Sequence, residues 1–215
     1  MIPAVAIVGK SKSGKTTAIE KLIAEFKSRG FRVAAVKHAH QTVELDIPGK
    51  DTARFAQAGS DACVVSSPSR LTVFKNASRE PSVEEVLSSL GNEYDIAFVE
   101  GFKRSKLPRI EVYRSELGKD MVCAPEELAA IITDKTLPFD LPQFRSDNVK
   151  GIADFVEREM LNNIGSDIAV FANGKQVFMK PFVKEIIANA ILAMIGTLKN
   201  TGIIKNVSIS IRNKK

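Results

Sequence analysis

An unbroken apolar run from Ala4 to Val8 opens the chain, and such a run predicts a strand buried on both faces. After a polar break, Ile19, Leu22, Ile23 and Phe26 recur at helical spacing, so a helix follows and Arg29-Gly30 ends it. RVAAVKHAH, from Arg32, predicts a second strand. Pro48 and Gly49 break the extended chain, and Lys50 to Ala58 predicts a short helix closed by Gly59. ACVVSS and RLTVFKN read as a third strand and its antiparallel partner. Ser82, with Glu85 three residues on, marks the start of a helix in PSVEEVLSSLGN. DIAFVEG, RIEVYRS and LAAIITD are further strands, and Ile152, Phe155, Val156 and Met160 predict a helix from about Val149 to Met160.

Beyond a polar linker, Asn162 to Asp167, the pattern shortens. IAVFANGKQVFMK forms two alternating runs around Asn173-Gly174, a pair that supplies the positive φ of a tight hairpin. Pro181 starts a helix, Phe182 to Leu198, and VSISIR predicts a closing strand. The expectation is an α/β domain over residues 1–165, with a doubly wound, mainly parallel sheet, and a small ββαβ module over residues 166–215. Ligands of such sheets bind beyond the carboxyl ends of the strands, where Gly9, His38, Glu100 and Asp134 all fall.

Composition narrows the class. With 215 residues, 44% hydrophobic and 26% charged, the chain reads as globular. Its two cysteines, Cys63 and Cys123, sit in apolar stretches, which argues against a disulfide framework and fits a reducing cytoplasm. MIPAVAIVGK lacks the basic start of a signal peptide, and the longest nearly apolar run, Ile186 to Ile195, is about half of what a bilayer needs, so no membrane role is expected. The net charge of +6 lies in the tail: residues 166–215 hold 8 Lys and Arg against 2 Asp and Glu, leaving 23 of each sign before them. With no aromatic stacking platform beyond Phe171, Phe178 and Phe182, that tail reads as a solvated basic face rather than a nucleic-acid site.

The polar break after the first strand carries the chemistry. It reads GxxxxGKT, Gly9 to Thr16, between a strand and a helix, which is the context a phosphate-binding loop requires. Glycines let successive N–H groups curl toward the phosphates, with the positive helix end behind them. Lys15 would reach the β and γ oxygens and the Thr16 hydroxyl would ligate Mg²⁺, so a nucleoside triphosphate is the expected ligand. Glu100, ending an apolar strand, suits the second metal-side position, where a carboxylate holds Mg²⁺ through water or orients the attacking water. Lys103, Arg104, Lys106 and Arg109 could neutralise a second anionic ligand or form a solvated loop, with Lys103 the best placed. His38 and His40 share a strand face, but two imidazoles alone make no metal site unless Asp46 or Asp51 joins them. Asp134, after LAAIITD, could accept from guanine N1 and N2, although ITDKT matches the usual NKxD order poorly.

GxxxxGKTT, KHAH, DIPGKDTARFAQAG, DIAFVEGFK and PRIEV in that order resemble the molybdopterin-guanine dinucleotide biosynthesis protein B family over Met1 to Leu161. The resemblance implies a homodimeric GTP-binding adapter with slow hydrolysis, acting beside the guanylyltransferase that joins GMP to molybdopterin. Carried over by position, Gly9 to Thr17, with Ser11, Ser13, Gly14, Lys15, Thr16 and Thr17, would hold GTP phosphates and Mg²⁺. Asp46, Gly49, Lys50 and Asp51 match the second signature and Glu100, Gly101 and Lys103 the third, with Lys50 and Lys103 assigned to the switch or to the phosphate of molybdopterin or its guanine dinucleotide. Gln41 departs from the family's KHxHH, and the basic tail, outside the core pattern, looks like extensions on some archaeal members. Two alternatives remain open at this stage: a small-molecule kinase resembling dethiobiotin synthetase, and a nickel-handling GTPase.

Overall fold

A computed structural model of the chain describes residues 2–39, 51–91, 93–161, 168, 170–173, 175–199, 204, 207, 209 and 211. Two compact units emerge, one formed by residues 1–38 with 83–215 and the other by residues 39–82.

The larger unit is built on a six-stranded sheet. Its strands are β1 (Ala4–Val8), β2 (Val33–Lys37), β5 (Ile96–Glu100), β6 (Arg109–Tyr113), β7 (Ala130–Thr133) and β8 (Gln143–Phe144), in the order β2-β5-β1-β6-β7-β8. Every pairing in this sheet is parallel. The apolar runs behave as buried strands should: all five residues of β1 and all four of β7 are buried. Because side chains alternate, Val5 and Ile7 meet α1 (Lys15–Ser28) and α4 (Val149–Val156), through Ile19, Leu22 and Phe26 of the first and Ile152, Phe155 and Val156 of the second. Phe26 stacks edge-on against Phe98 of β5, with centroids 5.4 Å apart. Ala4 and Ala97 face the other way, toward Val83 and Leu87 of α3 (Val83–Ser89), while Ala6, Val8 and Ile131 pack under Cys123 and Leu128. The sheet is therefore covered on both faces, as a doubly wound α/β fold requires.

Several elements differ from the sequence pattern. β8 has two residues after Pro142, too few for a periodicity to show. The last helix of the domain keeps its α form only to Val156 and continues as a wider π turn over Glu157–Leu161. In the tail β9 (Val170–Ala172) and β10 (Lys175–Val177) pair antiparallel around Asn173, whose φ of 52° is the left-handed turn expected there. The helix α5 runs Pro181–Gly196 and exposes Phe182, Ile186 and Met194. Of VSISIR, the described residues Val207, Ile209 and Ile211 are not in a strand, and the others lie outside the described residues. No helix among the described residues is long and apolar enough to cross a membrane.

In the smaller unit, α2 (Asp51–Gln57) precedes β3 (Ala62–Ser67) and β4 (Arg70–Lys75). These two strands are antiparallel partners, as their sequence suggests, and among the described residues they form a two-stranded sheet of their own. Cys63 is buried, its thiol 3.6 Å from the Thr52 carbonyl, whereas Val64, Leu71 and Val73 are exposed.

Candidate nucleotide site

β1 lies at the middle of the sheet, between β5 and β6, so the loop leaving it emerges between two other strand ends. Gly9 has φ 142°, and a Cβ there would stand 2.5 Å from the Val112 carbonyl oxygen and 2.8 Å from Ser13 Oγ. Only glycine lets the loop pass so close to β6. The loop closes on itself through Ser13 N–H to the Lys10 carbonyl, 3.3 Å. Gly14 then starts α1 in the left-handed conformation, without a side-chain cap and with no acidic residue in the first turn. The leading N–H groups of α1 therefore face the loop as unneutralised donors. Ser13 Oγ, 1% exposed as a residue, has no hydrogen-bond partner among the described residues.

Lys15 crosses this loop and donates from Nζ to the Lys10 carbonyl at 2.7 Å. Burial pushes its ammonium below the ordinary lysine value; Glu100 counters this, and Lys103 and Lys37 push it further down. A phosphate beside Lys15 would favour the charged form. Thr16 donates from Oγ1 to Glu100 Oε2 at 2.9 Å across 84 residues of sequence. Register explains that meeting: Glu100 ends β5 opposite Ile7 of β1 on one side and Lys37 of β2 on the other. A hydroxyl and a carboxylate are hard oxygen donors of the kind Mg²⁺ takes, and a carboxylate bonded to the hydroxyl fixes its orientation.

The segment after Glu100 is bent sharply. Gly101 has φ 100° and Phe102 φ 50°, and a Cβ on Gly101 would come within 2.7 Å of His38 Cβ. His38 donates its backbone N–H to the Glu100 carbonyl at 2.9 Å, and its ring lies 4.4 Å from that of Phe102. His38 is thus a stacking residue here, while His40 lies outside the described residues.

Structure places the predicted residues unequally. Gly9, Ser13, Gly14, Lys15, Thr16 and Glu100 converge, Lys103 is close enough to depress Lys15, and Ser11 and Thr17 are exposed on the loop and on the first turn of α1. Asp51 begins α2 in the smaller unit, and Asp46, Gly49 and Lys50 lie outside the described residues. Asp134 follows β7 and accepts from Ser115 N–H at 3.2 Å and Ser115 Oγ at 2.9 Å. Slight burial pushes its carboxyl up, but these bonds and the nearby Arg114 outweigh it and hold it below the usual carboxylate range.

Three basic residues of the site were not singled out by the sequence. Arg114, directly after β6, donates from Nε to the Ser13 carbonyl at 3.3 Å. Lys10 donates to the Leu117 carbonyl at 3.0 Å, and Arg145, after β8, to the Asp134 carbonyl at 3.4 Å. For the two arginines a basic residue immediately after a strand was the available signal, but only the strand order assigns each a partner. The glutamate of PRIEV turns out to be structural: Glu111 is 1% exposed and accepts from Val122 N–H at 2.7 Å and Cys123 N–H at 3.0 Å. Burial, and then the Glu111 charge, push the Cys123 thiol up, which favours its neutral form.

A "Molybdopterin-guanine dinucleotide biosynthesis adapter protein" of Haemophilus influenzae is 33% identical over 157 residues, covering 73% of this chain and 88% of its own. A relative from Methanocaldococcus jannaschii, 28% identical, aligns over 96% of both chains, so its similarity extends into the basic tail. The crystal structure of Bacillus subtilis MobB superimposes with a TM-score of 0.59 at 26% identity, covering 74% of this chain and 98% of that one. The family model described as molybdopterin guanine dinucleotide synthesis protein B matches residues 4–134, from the first strand through the candidate site to Asp134, and the chain belongs to that family.

Proposed function

We propose that this chain binds GTP with Mg²⁺ at the loop between β1 and α1 and acts as an adapter in molybdopterin-guanine dinucleotide biosynthesis. The observation that carries the nucleotide part is the Thr16–Glu100 hydrogen bond of 2.9 Å at the mouth of the loop. It joins the two residues that a phosphate-loop protein uses on the metal side. Backbone N–H groups from Gly9 to Thr17, with Lys15, bind and neutralise the phosphates, and the Thr16 hydroxyl with Glu100 would hold the metal. Mg²⁺, when bound, offsets phosphate charge. Lys103, exposed beside this centre, is suited to the anionic phosphate of molybdopterin or its guanine dinucleotide. Hydrolysis is weak in this reading, and the adapter works as a homodimer with the guanylyltransferase that joins GMP to molybdopterin. The adapter name borne by the Haemophilus influenzae relative supports the pathway, and the exposed Val64, Leu71 and Val73 of the hairpin support self-association.

Equilibrium binding of GTP and ATP with Mg²⁺, with and without molybdopterin, tests this. GTP is expected to bind at least tenfold tighter than ATP, about 1.4 kcal/mol, and Lys15→Ala to weaken GTP by tenfold or more. Tenfold tighter binding of ATP, or an unchanged affinity in Lys15→Ala, would overturn it. Phosphoryl transfer to a small acceptor at catalytic rates would replace it with the kinase reading.

A further inference from the structure

On the side of the phosphate loop away from Glu100, the ends of four neighbouring parallel strands carry a connected row of polar groups. Following the sheet from β1 to β8, the Ser13 carbonyl accepts from Arg114 Nε at 3.3 Å. The next residue, Ser115, donates from N–H and Oγ to the Asp134 carboxylate, and the Asp134 carbonyl accepts from Arg145 Nη1 at 3.4 Å. The Asp134 residue and the Arg145 guanidinium that reaches its carbonyl thus lie at the far end of the row. Asp134 is oriented by two donors from one residue, yet two oxygens offer more acceptor positions than Ser115 fills. Arg145, with 73% of its side chain exposed, otherwise makes only a 4.0 Å ion pair with Asp147 among the described residues, so most of its donors are available.

We propose that Asp134 and Arg145 form the base-reading end of the nucleotide site, with Arg145 as the residue that separates guanine from adenine; this rests on the GTP-binding reading above. Guanine offers N–H donors at N1 and N2 and, next to them, acceptors at O6 and N7. A carboxylate takes the donors and an arginine fork takes the acceptors. Adenine has no N1–H and turns an amine toward the guanidinium, so both contacts fail together. Reach agrees: β7 and β8 lie two and three strand spacings from β1, about 10 and 14 Å, the span of a nucleoside laid from the loop along the strand ends.

The test is the affinity of the full chain for GTP, ATP, ITP and XTP, each with Mg²⁺, in wild type, Arg145→Ala, Arg145→Lys and Asp134→Asn, with thermal melts confirming that each variant folds. Arg145→Ala is expected to shrink the GTP to ATP preference tenfold or more while leaving ATP affinity unchanged, and Arg145→Lys to restore part of it. Asp134→Asn is expected to weaken GTP and shift preference toward XTP, whose O2 accepts from the new amide. A purely structural role moves both nucleotides in parallel, and an unchanged ratio in Arg145→Ala overturns the inference while GTP binding stands. Failure of the wild-type chain to bind any triphosphate removes the underlying reading, and this one with it.

Discussion

Gly9 shows how much one missing atom decides. A methyl group there would meet the Val112 carbonyl at 2.5 Å, and the backbone φ of 142° is one that other residues rarely adopt. Gly9→Ala is therefore expected to push the loop off β6, weakening GTP by tenfold or more and costing about 2 kcal/mol of stability, read by nucleotide titration and urea unfolding. The sequence exposes this position plainly, since GxxxxGKT is a contiguous motif whose parts meet through local backbone geometry. Lys15, Thr16 and Gly14 were legible for the same reason. Arg114 and Arg145 were not. Each follows its own strand by one residue and gains a role only through a neighbour from another strand, Ser13 for the first and Asp134 for the second. Glu111 is the converse: it stood within a recognisable signature, but its work is to satisfy the buried N–H groups of Val122 and Cys123.

Among the elements, α1 and α4 are tied by Arg29 as well as by their apolar faces. Its guanidinium meets Glu25 at 2.8 Å on its own helix and Asp154 and Glu157 at 2.8 and 2.9 Å on the other. Burial opposes its charge, but the three carboxylates more than offset that and raise its pKa further above the ordinary arginine value. Arg29→Ala leaves those carboxylates facing one another, and a loss on the order of 1–2 kcal/mol is expected in urea unfolding at low salt, smaller when salt is raised. Strand legibility followed burial. β1, β5 and β7 are unbroken apolar runs because helices or packed loops cover both faces of the sheet, whereas β8 has only two residues and leaves no pattern. β3 and β4 were read as an antiparallel pair from their adjacency, but nothing in their alternation says that they form a two-stranded sheet of their own.

For the molecule as a whole, the groups proposed to bind the nucleotide lie between Gly9 and Arg145 in sequence, and the basic tail, residues 166–215, follows them in the same larger unit. The Haemophilus influenzae relative aligns over 73% of the chain. Removing residues 166–215 is expected to leave GTP affinity within about twofold in the same titration; a larger loss would tie the tail to the site. The chain by itself determined the residue types and their local chemistry: a glycine-bounded loop between strand and helix, a carboxylate closing an apolar strand, and turn residues between the elements. These follow from patterns within a few residues, where backbone preference and periodicity act. Only the tertiary structure decided the strand order, because parallel strands joined by long crossovers carry no local mark of their neighbours. That order sets β5 against β1 and so brings Glu100 to Thr16 from 84 residues away, and it lines up β6, β7 and β8 so that Arg114, Asp134 and Arg145 form one continuous edge.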